Sequence, residues 1–202
     1  MNKIKLGKYN LPTKVYFCKN CTRSNQRPQN LGEFNQTINE KKKYVGLNNK
    51  GLCGACQFYF EKQKINWIKR EAELKKLCDK YRKNNGEFDI IVPGSGGKDS
   101  VFVAHQLRYK YGMKPLLVTW KPAMYTEIDK KNFISWLKLG ISNYSYNQNK
   151  KVHKLLTKLA FKNLCHPFQP FILGQKNFAP KVAVKYKIKL IMYGESYVEF
   201  GM

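Results

Sequence analysis

Two groups of residues in this 202-residue chain have types and spacings that can do chemistry. The first is Gly94-Ser95-Gly96-Gly97-Lys98-Asp99-Ser100, which follows the apolar run Ile90-Ile91-Val92-Pro93. Glycines let a backbone come close to a ligand. The first N–H groups of a helix, backed by about half a positive charge from its dipole, attract anions. A strand that ends in such a loop and leads into a helix is therefore a phosphate cradle. Ser95 and Ser100 offer hydroxyl donors, and Lys98 adds a compact charge. Asp99 suits a helix N-cap or a ligand to Mg2+ carried by phosphates. The spacing fits neither GxxxxGK[ST] nor GxGxxG.

The second group is the pair Cys18-Lys19-Asn20-Cys21 and Cys53-Gly54-Ala55-Cys56, separated by 31 residues. Two CxxC knuckles can present four thiolates tetrahedrally to Zn2+. The surrounding segment has few apolar runs, so metal binding would supply folding energy that a core does not. Cys78 reads as a residue on the core face of a helix. Cys165, beside His166, reads as part of a packed loop.

These groups need elements to hold them. Residues 1–62 read as the zinc-binding module and 63–86 as a linking amphipathic helix. Residues 87–202 read as an α/β domain, with strands expected near 88–93, 115–120, 141–146 and 188–193. Helices are expected near 99–111, 129–139, 152–164 and 179–186. Alternating apolar strands and helices imply a Rossmann-like parallel sheet covered on both faces.

The net charge of +25 raises nucleic acid as a partner. Only five of the 38 basic side chains are arginine, however, and the lysines are spread along the chain. That pattern suits a solvated surface, and makes nucleic acid the weaker expectation. No apolar run reaches the roughly 18 residues of a membrane span, and the N-terminus lacks a signal-peptide core. The expected location is the cytoplasm.

The glycine-rich loop resembles the SGGxDS signature of the PP-loop ATP pyrophosphatases. These enzymes split ATP into AMP and pyrophosphate, adenylate a carbonyl or carboxyl oxygen, and let a nucleophile displace AMP. Longer blocks carry a closer resemblance: FCKNCTRSNQRP, GLCGACQF, IIVPGSGGKDS, YGMKPLLVTWKPAMYT and LAFKNLCHPFQPFILGQKNFAPKVAVKYKIKLIMYGESYVEFG. In this order they resemble the N-acetyl sugar amidotransferases of bacterial surface-polysaccharide and lipopolysaccharide synthesis. The resemblance implies ATP-dependent conversion of an acetamido group on a nucleotide-activated sugar, or a related sugar acid, to an acetamidino group. Ammonia would come from a glutaminase working with a cyclase-like subunit.

Carried over by position, Ser95, Gly96, Gly97, Lys98, Asp99 and Ser100 would hold the ATP phosphates and Mg2+. Trp120 would hold adenine. Gly194, Glu195 and Glu199 would lie at the same sheet edge, with Lys98, Asp99 and Glu195 as catalytic residues. Glu195 would bind Mg2+ or orient ammonia, or stand as an exposed loop carboxylate. Gln169, Gln175 and Lys176 would contact the sugar or ATP. Members of that family are longer, so a C-terminally incomplete chain is expected, marginally stable or inactive alone. Two other readings share the loop. One is a tRNA-modifying thiolase or lysidine-type ligase, and a thiolase calls for further cysteines in the catalytic domain. The other is an inactive remnant that binds zinc and nucleotide.

Overall fold

The computed structural model describes residues 5–7, 10–27 and 44–195. The chain divides into two compact units, one running to Ile68 and the other covering Lys69–Glu195. Glu199 lies outside the described residues.

The first unit is built from turns and isolated bridges, Phe17 with Ser24 and Leu47 with Cys53. Helix α1 (Gly54–Lys62) starts immediately after Cys53. The sequence reading had only a knuckle there. Its described core is a cluster of Cys18, Cys53 and Cys56 with Leu47 and Leu52 packed against it.

Helix α2 (Trp67–Tyr81) is shorter than the expected 63–86 segment, and from Lys69 on it belongs to the second unit. It is part of the core there: Cys78 is fully buried, with Leu74 beside it. Strands β1 (Ile90–Pro93), β2 (Pro115–Trp120), β3 (Asn143–Tyr146) and β4 (Leu190–Ile191) form one sheet. Its order is β3-β2-β1-β4, and every pairing is parallel. Helix α3 (Lys98–His105), continued by a π turn over Gln106–Lys110, follows β1. Helix α4 (Glu127–Leu137) follows β2, and α5 (Lys150–Leu164) and α6 (Gln169–Lys185) follow β3.

The alternation of side chains along a strand makes two cores, since both faces of a parallel sheet are covered. Ile90, Val92 and Leu117 face Ala104, Leu107, Trp136 and Cys78. Ile91, Leu116 and Val118 face Ala179, Val182 and Ala183 of α6. The fold is thus α/β with a Rossmann-like parallel sheet, and a cluster of four cysteines lies in the first unit.

Several boundaries differ from the sequence reading, each for a local reason. α6 starts ten residues before the expected 179 and runs through Gly174, a weak helix former in isolation. Pro180 removes one N–H, but the helix continues because its apolar side is buried against β1 and β2. β4 is two residues long rather than six, since it is an edge strand and pairs only with β1. α3 starts at Lys98 with Gly97 as its N-cap, so Asp99 sits within the first turn and is not the cap.

Candidate functional site

The order of the sheet decides where a ligand can sit. The chain leaves β1 toward β2 on one side and returns to β4 on the other. The crevice beyond the carboxyl ends of β1 and β4 is the topological switch point, where open α/β sheets bind ligands. Residues 94–100 follow β1 there, and Gly194 and Glu195 follow β4.

The loop is tied down by backbone and by one buried side chain. The Gly94 N–H donates to Val118 O at 3.0 Å. The Thr119 hydroxyl donates to Gly94 O at 2.7 Å and accepts from the Asn143 side-chain amide at 3.1 Å. Ser100, also buried, donates through Oγ to Gly97 O at 3.0 Å. The first intrahelical bond runs from Val101 N–H to Gly97 O, which leaves the amides of Lys98, Asp99 and Ser100 outside the helical ladder. Thr119→Val would strand both the Gly94 carbonyl and the Asn143 amide. It is expected to cost about 2–3 kcal/mol and to lower Tm by roughly 5–10 °C. A thermal melt followed by circular dichroism checks this, and an unchanged Tm contradicts it.

Gly96 has φ +96°, and a Cβ there would lie 2.5 Å from the Asn132 carbonyl oxygen on α4. A Cβ on Gly194 would lie 2.6 Å from the Ser100 nitrogen, so the segment after β4 presses directly on the first turn of α3. A Cβ on Gly97 would meet nothing within 4 Å. Two glycines are therefore required by close packing, and the third borders open space.

That space is a cavity of about 300 Å³. Ser95 and Gly97 form one wall, and Tyr125, Asp129 and Asn132 form another. Phe171 and Gln175 of α6 also line it. The Tyr125 hydroxyl oxygen is buried without a hydrogen-bond partner. Burial, and then the Asp129 charge, raise its pKa. Asp129 closes a capping box with Thr126, accepting from its hydroxyl at 2.7 Å, and this bond holds its pKa below the usual carboxylate value. The Lys98 ammonium donates to both Asp99 oxygens, at 2.7 and 2.9 Å. Its pKa is raised first by Asp99, and Glu195 adds to the shift. Lys98, Asp99 and Glu195 thus share one electrostatic neighbourhood at the switch point.

The expected site residues are brought together unequally. Ser95, Gly97 and Gln175 line the cavity. Gly194 and Glu195 adjoin α3. Trp120 is not part of the lining. Its ring stacks on Tyr146 at 5.0 Å and meets Phe178 at 5.6 Å, and a Cβ on Gly174 would overlap it at 2.2 Å. Gln169 opens α6, and Lys176 lies further along it. Cys165 is exposed and ends α5 in a left-handed conformation. Sequence reasoning missed Tyr125, Asp129 and Asn132. The clue was their position, just past the carboxyl end of β2.

In the first unit, the sulfurs of Cys18, Cys21, Cys53 and Cys56 all lie within 4.8 Å of one another. Cys18 Sγ is 3.8 Å from Cys56 Sγ, and Cys21 Sγ is 3.7 Å from Cys53 Sγ. Four sulfurs bonded to a central ion at about 2.3 Å form a tetrahedron with edges of about 3.8 Å. The four cysteines are therefore positioned to hold a metal. The Cys53 N–H donates to Cys18 Sγ at 3.3 Å and lowers that thiol to about 6, against the opposing effect of burial. The Asn20 amide draws Cys56 down, but burial and the other three thiols outweigh it and push Cys56 up to about 12. Four thiolates this close would need a cation to share.

Among the described residues, no helix is long and apolar enough to cross a membrane. No family model matches the chain. A stretch of 77 residues is 31% identical to the uncharacterized protein MJ1599 of Methanocaldococcus jannaschii, covering 38% of this chain and 27% of that protein. The match thus spans about a quarter of the archaeal protein's length.

Proposed function

We propose that the Lys69–Glu195 unit is a PP-loop ATP-binding domain. Its proposed reaction is the ATP-dependent amidation of an acetamido group on a nucleotide-activated N-acetyl sugar, in surface-polysaccharide synthesis. One observation carries the reading. Ser95-Gly96-Gly97 forms the turn between β1 and α3 at the sheet's switch point and opens onto a cavity of about 300 Å³, and Lys98-Asp99-Ser100 forms the first turn of α3.

The residues present fit a nucleotide's phosphates. The free amides at the start of α3, the open space at Gly97 and the Lys98 ammonium are the parts such a group needs. Asp99 and Glu195 would hold the accompanying Mg2+. ATP supplies activation of the amide oxygen by adenylation, which makes the carbon open to attack by ammonia. The Tyr125 hydroxyl and the Gln175 amide can then orient the acceptor against the loop. The glutaminase and the cyclase-like subunit remain the proposed source of ammonia. The cytoplasm is the proposed location, since ATP and reduced thiols are found there.

The metal we assign to the cysteine cluster is zinc. An all-thiolate tetrahedral donor set without an open position suits structural Zn2+. Its role is to hold the first unit together and not to take part in the reaction.

The test incubates the zinc-loaded chain with Mg-ATP and ammonia, and follows AMP and pyrophosphate. Parallel reactions contain a panel of nucleotide-activated N-acetyl sugars or bulk tRNA. AMP formed only with a sugar is the expected result. AMP formed only with tRNA makes the chain a tRNA-modifying enzyme instead. No AMP, together with no ATP binding by calorimetry, overturns the nucleotide reading.

A further inference from the structure

Helix α5 (Lys150–Leu164) packs on α6, and Ala160 is its one buried residue. Val152, Leu155, Leu156 and Leu159 follow the i, i+3, i+4, i+7 spacing of one helix face, and each is 45–56% exposed. Phe161 and Leu164, near the end of the same helix, are exposed as well. Lys150, Lys151, Lys154, Lys158 and Lys162 occupy the adjoining face, all exposed. Among the described residues no acidic side chain pairs with them.

The charge extends well beyond this helix. Between Asp129 and Glu195 the chain has thirteen lysines and neither aspartate nor glutamate. The lysine face of α5 adjoins an aliphatic stripe that has no partner among the described residues, and the two features together narrow the choice of occupant. Nucleic acid would meet the lysines but would leave the leucines in water. It would also favour arginine, and the last arginine in the chain is Arg108. A lipid–water interface takes both features at once: acyl chains cover the apolar stripe, and anionic headgroups meet the lysines. The helix is 15 residues long, which suits lying in the interface plane and not crossing it.

We infer that α5 is a docking surface for an anionic lipid membrane, with Val152, Leu155, Leu156 and Leu159 entering the interface and the flanking lysines bound to headgroups. This inference does not depend on the reaction proposed above.

Cosedimentation of the full chain with vesicles tests it. One set is phosphatidylcholine alone, and the other contains about 30% phosphatidylserine. Binding to the anionic vesicles is expected to be at least about tenfold tighter than to the neutral ones, and to weaken as salt screens the lysines. Leu155→Glu/Leu159→Glu changes exposed positions, so the far-UV spectrum and Tm should be kept while anionic-vesicle binding falls by about tenfold or more. Lys154→Ala/Lys158→Ala should weaken anionic binding as well. The inference is overturned if the parent chain ignores both vesicles, or if it binds tRNA but not lipid. It is equally overturned if the leucine variant binds anionic vesicles as the parent does, since diffuse charge alone would then explain the binding. A leucine variant that turns a dimer into a monomer without altering vesicle binding would assign the stripe to a second copy of the chain.

Discussion

Removing the metal, or replacing Cys53 by serine, is expected to unfold the first unit while leaving the second intact. The reason is the composition of its core. The described core cluster of that unit consists of Cys18, Cys53 and Cys56, with only Leu47 and Leu52 packed against it. Three of the four ligands are also the buried residues of that core. Structural zinc sites contribute on the order of 10 kcal/mol or more of apparent binding energy, and this energy is folding energy where no other core exists. Cys53 has no exposed surface, and its amide also holds Cys18 in place. A serine there removes a ligand and leaves a buried hydroxyl without a partner. Limited proteolysis of the chelator-treated chain should cut within residues 1–68 and spare Lys69–Glu195, which has its own two-faced core. Zinc content should fall from one equivalent toward none in the Cys53→Ser variant. Metal release should also occur on acidification. Each thiolate must be deprotonated to bind, so protons displace the ion as pH falls and the site refills as pH rises. Equal protease resistance with and without metal would refute the account.

The second large effect concerns the glycines of the loop, and a pair of variants separates packing from ligand binding. Gly96→Ala puts a Cβ 2.5 Å from the Asn132 carbonyl oxygen and 3.0 Å from the Phe133 nitrogen, at φ +96°. Both contacts are to the backbone of α4, which cannot turn aside as a side chain could. The combined strain and overpacking are expected to cost about 2–5 kcal/mol and to distort the loop. Gly97→Ala meets nothing within 4 Å and has φ −65°, so its Tm should match that of the parent. If the open space beside Gly97 is reserved for phosphates, the same methyl should weaken Mg-ATP binding by about tenfold or more, or about 1.4 kcal/mol. Calorimetric titration of Mg-ATP into both variants and the parent reads this directly. A Gly97→Ala protein that binds ATP as tightly as the parent would show that the loop's open side holds no phosphate.

These glycines also mark the line between what sequence and structure each decided. The loop's chemistry is local: Ser95 to Ser100 follow an apolar run, and their types suit little besides an anion. The strands β1 and β2 are equally local, since unbroken Ile, Val and Leu flanked by turn residues belong to buried parallel strands. The four cysteines were also evident from the sequence, because their spacing within each pair is that of a knuckle, and the structure brought the pairs to within 4.8 Å.

Other features depended on residues distant in sequence. α6 holds its helix through Gly174 and Pro180 because Ala179, Val182 and Ala183 are buried against the sheet, and no local propensity carries that information. Trp120 ends β2 by local sequence, but its neighbours Tyr146, Phe178 and the backbone at Gly174 come from distant parts of the chain. Tyr125 and Asn132 share a cavity with the loop only because α4 packs its backbone against Gly96. Gly194 meets the amide of Ser100 because the sheet order sets β4 beside β1. Composition and short-range spacing set which groups could do chemistry. Which of them meet depends on strand order and on the close approach of backbones far apart in the chain.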